Sequence, residues 1–334
     1  MNTIMKKEIT RRNFLLKTTG IGCGLIYGGA SASFLPKSNH VQQTPMIAFL
    51  KKGDRQLFVD NYLIARSQGV IRKIHPAKKL DFPVLEADMP WEQGEDFNGR
   101  RDRRIYIYGT VMRDDETGKF RMWYNRLKSN CYAVSDDGIH WQRPVLKQLG
   151  ENNLIQLFDF HSPSIILDKF ETDSSRRYKT VGSVKGSIDE KEIRSLKNRF
   201  KNFEWYTGSS AYCAAYSGDG INWTRYTHPI LLSGDTVTLS QDPLTGEYLV
   251  FHKISRDPRV TGRQVFLSVS KDMQNWSEPE PVMVTDETDH RMAQLLKGGT
   301  HSEFYNMSAF PYGSQWLGLV THFRRTGEPI ERGP

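Results

Sequence analysis

The stretch Cys131-Tyr-Ala-Val-Ser-Asp-Asp-Gly-Ile-His-Trp141 returns twice without a gap, as Cys213 to Trp223 and as Phe266 to Trp276. In each copy alternating small and apolar residues, the pattern of a buried strand, run into Ser-x-Asp and then Trp: Ser135, Asp137 and Trp141; Ser217, Asp219 and Trp223; Ser270, Asp272 and Trp276. Ser and Asp side chains hydrogen-bond turn backbone, and the Trp supplies a large packing surface. A chain that repeats such a unit is built by stacking like pieces, so these residues report on the fold and not on chemistry.

Two further strand-like runs precede each turn. In the third copy they are Thr236 to Ser240 and Glu247 to Ile254, joined by Asp242-Pro-Leu-Thr-Gly246, with Gln264 to Ser270 and Pro281 to Thr285 following. The first copy reads Tyr106 to Arg113, the turn Asp114-Asp-Glu-Thr-Gly118, Lys119 to Tyr124, Asn130 to Ser135, and Pro144 to Lys147. Four antiparallel strands per unit predict the blade of a β-propeller. The second copy opens at Ser162-Pro-Ser-Ile-Ile-Leu-Asp168 and carries an insertion in which Ser187-Ile-Asp-Glu190 has the form of a capping box. Ile193, Leu196, Phe200 and Phe203 follow at helical spacing, which predicts one amphipathic helix. A fourth unit starts with Asn306 to Tyr312 and Gln315 to Phe323, and no further Ser-x-Asp turn follows before Pro334. The expectation is an all-β propeller truncated within its fourth blade. Blade I covers 104–148, blade II 154–232, blade III 235–286 and a partial blade IV 302–334, within a domain spanning 55–334. Arg55 to Ile64 and Val70 to His75 read as strands ahead of the first blade, with partial exposure expected.

Residues 1–32 read as an export signal: Arg11-Arg12 stands before Phe14-Leu15-Leu16-Lys17, a Gly-rich apolar segment follows, and Ala30-Ser31-Ala32 suits a signal peptidase. This twin-arginine pattern predicts a periplasmic or secreted protein carried by the twin-arginine translocase, with 33–54 as a linker, in preference to a lipoprotein anchored on Cys23. The same segment carries five Lys/Arg against Glu8, so it accounts for four of the net +8 charges. No basic run alternates with aromatics in the remainder, which argues against a nucleic-acid partner. Cys131 and Cys213 hold equivalent positions in successive repeats, too far apart to bridge, and are expected as buried free thiols. No zinc pattern is present, and no cofactor is expected.

The strand pattern, Phe82-Pro-Val-Leu-Glu86 with Trp91-Glu92 after it, and the Ser-x-Asp-Gly-x-x-Trp turns resemble the five-bladed propellers of glycoside hydrolase families 32, 43, 68 and 130, the arabinanase, invertase and levansucrase superfamily. Leu57-Phe-Val-Asp-Asn-Tyr-Leu-Ile64 and Ala309-Phe-Pro-Tyr-Gly313 resemble an uncharacterised bacterial branch of it. The resemblance implies a five-bladed ring and cleavage of a glycosidic bond in a poly- or oligosaccharide by carboxylates at inner-strand starts. One carboxyl protonates the leaving oxygen while the other activates water or attacks the anomeric carbon. A carbohydrate-binding propeller without catalysis, and an inactive fragment, are the rival readings.

Strand parity places the leads into inner strands, the helical insertion and the loop around Arg256-Asp257 on one face, and the Ser-x-Asp turns on the other. Four acids fall on the first face: Asp102, Asp159, Asp235 and Glu303. The candidate catalytic residues are Glu303 as general acid, Asp235 beside an inner strand, and Asp159, although Ser162-Pro163 stands where the resemblance implies Asp-Pro. Asp102, among Arg100, Arg101, Arg103 and Arg104, reads equally as a salt-bridged carboxylate. Candidate substrate-binding residues are His161, His301, Arg101, Arg256, Tyr305 and Trp91, with Trp205 as a second stacking aromatic. Arg256-Asp257-Pro258 is similar to a motif of fructan-cleaving relatives but lies in the wrong loop, and Asp286, Asp289 and His290 read as a solvated loop.

Overall fold

The computed structural model describes residue 53 and most of 56–327. The twin-arginine segment and Cys23 lie outside the described residues. The chain divides into two units, one of 1–79 and 310–317 and one of 80–309 and 318–334. In the first unit the described residues of the two expected leading runs form no strand, and Phe58, Val70 and Ile71 are exposed.

The second unit holds a small hairpin of β1 (Gly94–Glu95) and β2 (Arg101–Asp102), followed by successive antiparallel sheets. The first is β3 (Tyr106–Arg113), β4 (Phe120–Arg126), β5 (Ser129–Ser135) and β6 (Leu154–Ile155), in that order. The second is β7 (His161–Leu167), β8 (Tyr178–Val184) and β9 (Ala211–Ser217), its fourth strand divided into β10 (Trp223–Arg225) and β11 (Leu231–Leu232), both on β9. The third is β12 (Val237–Gln241), β13 (Tyr248–Ile254), β14 (Gln264–Ser270) and β15 (Glu280–Met283). Then β16 (Gly299–Tyr312) pairs with β17 (Gln315–Thr326).

Successive first strands lie side by side and are tied through side chains. The amide of Ile165 donates to Thr110 Oγ1 at 2.8 Å, that of Leu239 to Ser164 Oγ at 2.9 Å, and Thr236 Oγ1 to the carbonyl of Tyr305 at 3.2 Å. This order of inner strands is propeller-like. Cys131 and Cys213 are buried free thiols on β5 and β9.

The repeated turns work alike in all copies. Each Ser Oγ accepts from turn amides, and each Asp carboxylate accepts from the amides two and three residues on: Ile139 and His140, Ile221 and Asn222, Gln274 and Asn275, at 2.7–2.9 Å. Each Trp indole donates back to its own turn, at 3.1, 3.2 and 3.0 Å. The residue after the Asp needs positive φ, met by Gly138 and Gly220 and, in the third copy, by Met273 at φ +65°. Adjacent sheets are joined here too: Trp123 Nε1 donates to the carbonyl of Gly220 at 2.7 Å, and Arg121 lies over Trp123, Tyr132 and Tyr178. Asp219→Ala is expected to cost about 1–2 kcal/mol, since two turn amides lose their acceptor, read as a lowered urea midpoint with an unchanged slope.

Three local expectations need correction. The fourth strand of the first sheet is Leu154–Ile155 and not Pro144 to Lys147. The buried Asn153 side chain donates to the carbonyl of Tyr132 at 2.7 Å and seats the residues after it on β5, while Leu146 folds back onto Asn152. The insertion does form a helix, α1 (Glu190–Arg199), but its N-cap is Asp189, which accepts from Lys191 N at 2.8 Å; Ser187 lies outside the described residues. Ile193, Leu196, Phe200 and Phe203 are all buried as expected, each worth on the order of 2 kcal/mol. A second helix, α2 (Glu287–Gln294), replaces the expected solvated loop: Asp286 caps it, and Asp289 closes a capping box. Among the described residues no helix is long and apolar enough to cross a membrane.

Candidate functional site

A cavity of about 320 Å³ opens where the second and third sheets meet, lined by Lys185, Trp205, Tyr206, Gly208, Ser233, Gly234, Asp235, Ser255 and Arg256 among others. Its wall combines the segment after α1, the lead into β12 and the residues after β8 and β13. Strand parity assigns these positions to one face, and the structure brings them together there.

Asp235 is the centre of the site. Its carboxylate accepts from His161 Nε2 at 3.1 Å and Lys185 Nζ at 3.3 Å on Oδ1, and from Lys253 Nζ and Tyr305 Oη, the latter at 2.8 Å, on Oδ2. A carboxylate offers about four lone-pair positions, so its accepting capacity is filled. These partners come from β7, the residue after β8, β13 and β16. Burial alone would raise the Asp235 pKa, but the His161 hydrogen bond, the charge and hydrogen bond of Lys253, and the Lys185 charge outweigh it and hold the group far below the usual carboxylate range. Burial lowers the Lys253 pKa, against the pull of Asp235. Burial, and then Asp235, raise that of Tyr305.

The backbone here is strained to make this placement. Ser233 and Asp235 have φ of +94° and +120°, a region that side chains other than glycine avoid. Gly234 between them is required by close approach: a Cβ there would stand 2.8 Å from Ser183 Oγ and 2.9 Å from Ser210 Cβ. Ser183 Oγ accepts from the Asp235 amide at 3.0 Å. His161 lies at a register irregularity at the start of β7, with Ser162 at φ +54°, and meets Tyr108 edge-on at 6.1 Å. Bulges at strand ends re-aim side chains in this way.

Glu303 is buried on β16 and ion-paired with Arg263, with His301 Nε2 and Arg325 Nη1 each at 3.8 Å. His301 Nδ1 is 2.9 Å from Thr300 Oγ1. Glu303 joins the Asp235 group through Arg263, whose guanidinium lies 5.6 Å from the Tyr305 ring centre. Lys253 Nζ lies 4.5 Å from the same centre. Gly262, at φ +66°, leaves room for Glu303, since a Cβ there would stand 2.7 Å from Oε1.

The other candidates fall elsewhere. Asp159 is exposed at φ +55° in the turn before β7 and forms no ion pair with the described residues. Asp102 is buried and clamped by Arg104, both Nε and Nη2 at 2.9 Å; hydrogen bonds from the Arg104 side chain and backbone lower its pKa to about 2. Arg101 is exposed and bonds Gln93 at 3.1 Å. Trp91 donates its indole N–H to Asn153 at 2.7 Å, a packing role, and it is Trp205 that lines the cavity. Arg256 lines the cavity, whereas the adjacent Asp257 is buried against Arg259, so the Arg-Asp-Pro triplet does not act as a unit. Sequence reasoning missed Lys185, Lys253 and Arg263. A buried lysine inside the apolar run Tyr248 to Ile254 was the available signal. Among the described residues no group of three His, Cys, Asp or Glu side chains is placed to hold a metal ion.

No family model matches the sequence. The chain is similar to a 1,2-beta-oligomannan phosphorylase of Thermoanaerobacter sp. (strain X514), 23% identical over 224 residues, covering 66% of this chain and 64% of that protein. The chain thus spans somewhat less than two thirds of that relative's length. Among solved structures it is similar to a fructofuranosidase of Schwanniomyces occidentalis complexed with fructosylnystose, with 13% identity, a TM-score of 0.40, and coverage of 65% of this chain and 40% of that one. An N-acetylgalactosamine deacetylase of F. plautii aligns with 14% identity and a TM-score of 0.37, over 65% of this chain and 71% of that one.

Proposed function

We propose that this chain, a relative of the propeller glycoside hydrolases, cleaves a glycosidic bond in an oligo- or polysaccharide at the cavity beside Asp235. The observation that carries the reading is the concentration of strained backbone and buried opposite charges around one carboxylate in a cavity wall. In this reading Asp235 is the fixed anion that faces the positive charge of an oxocarbenium-like transition state, Glu303 gives its proton to the leaving oxygen, and a water or phosphate from solution forms the new bond to the anomeric carbon, its proton returning to Glu303. His161 and Tyr305 are fixed in place by hydrogen bonds to Asp235, and in this reading they bind sugar hydroxyls beside it. Trp205 and Tyr206 supply flat apolar surface for a sugar ring. The same reading counts the sheets as blades of a five-bladed ring and places the protein outside the cytoplasm on its twin-arginine segment.

One observation favours a second reading, a carbohydrate-binding propeller without catalysis: Asp235 has no accepting position left and Glu303 is already ion-paired. The test is to incubate the protein with oligosaccharides, with and without inorganic phosphate, and to follow new reducing ends or sugar phosphate. Turnover is expected, and Glu303→Gln is expected to lower its rate by about a hundredfold or more. Sugar binding with no turnover under either condition would establish the binding module instead.

A further inference from the structure

The charges around the cavity do not balance. Of the charged residues that line it, Lys185 and Arg256 stand against Asp235, an excess of one positive charge. Outside the lining, Lys253 already pairs with Asp235, and Arg263 with Glu303. Two cations remain within reach of a ligand. Lys185 is 53% exposed and sits only at the margin of the Asp235 group, at 3.3 Å. Arg256 is exposed in the cavity wall and forms no ion pair with the described residues.

We propose that the cavity selects glycans bearing a carboxylate or sulfate group, which Arg256 and Lys185 hold while the ring rests on the aromatic wall. This rests on the carbohydrate reading above and names the substrate class of the same site. A cavity of about 320 Å³ is far larger than a free oxyanion requires. It lies within the range of about 300–1,000 Å³ that small-molecule pockets occupy. Trp205 and Tyr206 line it together with both cations, which fits a ring and its own anionic substituent in one ligand. A guanidinium engages a carboxylate or sulfate through two parallel hydrogen bonds, so Arg256 supplies orientation as well as charge.

The test is binding of the full chain to an array of uronate- and sulfate-bearing oligosaccharides printed beside their carboxyl-reduced or desulfated counterparts, followed by titration in solution on tryptophan fluorescence. At least one anionic member is expected to bind about tenfold or more tightly than its neutral counterpart. That preference is expected to weaken as salt is raised, and to vanish in Arg256→Gln and Lys185→Gln. Both side chains are exposed, so both variants are expected to melt like the parent. Equal binding of charged and neutral members, or binding of none of the anionic ones, overturns the proposal. So does phosphate-dependent cleavage confined to neutral oligosaccharides, since the excess charge would then serve free phosphate. Cleavage of neutral sugars with no anionic preference defeats this inference and leaves the glycoside-cleaving reading standing. Anionic binding with no turnover does the reverse.

Discussion

Glu92→Ala is expected to destabilise the protein by about 3–5 kcal/mol, the cost of removing one member of a buried, hydrogen-bonded ion pair. The Glu92 side chain is fully buried. Its carboxylate accepts from Arg143 Nε at 2.8 Å and Nη2 at 2.9 Å and from the hydroxyl of Tyr124. Asn153 donates to the same hydroxyl at 2.7 Å and accepts the Trp91 indole proton at 2.7 Å. The network therefore ties the segment before the first sheet to β4 and to the residues that seat β6. Loss of the carboxylate takes the inner partner from a guanidinium whose side chain is only 10% exposed, and leaves it Asp88 at 2.9 Å and the carbonyl of Glu86 at 2.5 Å. Glu92→Gln keeps the shape and part of the hydrogen bonding and is expected to lose less. Urea unfolding of parent and both variants measures this; equal midpoints would show that the pair contributes no net stability.

The turns were legible because their chemistry is local. Ser, Asp and Trp act within seven residues, and positive φ after the Asp is announced by glycine in two copies. The buried face of α1 was legible for the same reason, since Ile193 and Leu196 already lie on one side of a helix. What failed depended on distant partners. Leu154–Ile155 is a strand because Asn153 reaches Tyr132, twenty-one residues away, and nothing in the two-residue stretch announces that. The cap of α2 was local and was available in Asp286-x-x-Asp289, but a pair of acids beside a histidine reads as polar loop when the apolar face is weak and only Ala293 is buried. In the candidate site, Asp235 and Glu303 were visible as acids at inner-strand starts. Their cations were not, because a lysine in β13 or an arginine at the start of β14 declares no target until the sheets are assembled.

The pairing of Asp235 with Lys253 separates stability from function. Asp235→Asn keeps side-chain size but removes the charge that holds Lys253, whose side chain is only 8% exposed. A loss of about 3–5 kcal/mol is expected at neutral pH. Burial already lowers the Lys253 pKa; without Asp235 no carboxylate partner offsets it, only the Tyr305 ring remains beside it, and Lys185 and Arg263 add repulsion. Between that lowered folded value and the ordinary unfolded one, the unfolded state binds more protons, so stability rises with pH. Asp235→Asn is therefore expected to grow more stable from about pH 6 to pH 9, more steeply than the parent. Adding Lys253→Met removes the stranded amine and fills its space, so the double variant is expected to recover most of the lost stability and to lose the extra pH dependence. Glycoside cleavage is expected to fall about a hundredfold or more in the single variant and to stay low in the double one, because the anion proposed to face the reacting sugar is absent in both. Urea unfolding across the pH range, beside rates on the same samples, measures the cycle. Activity that returned with stability would show that Asp235 serves only to hold the fold, and the catalytic role assigned to it would fall.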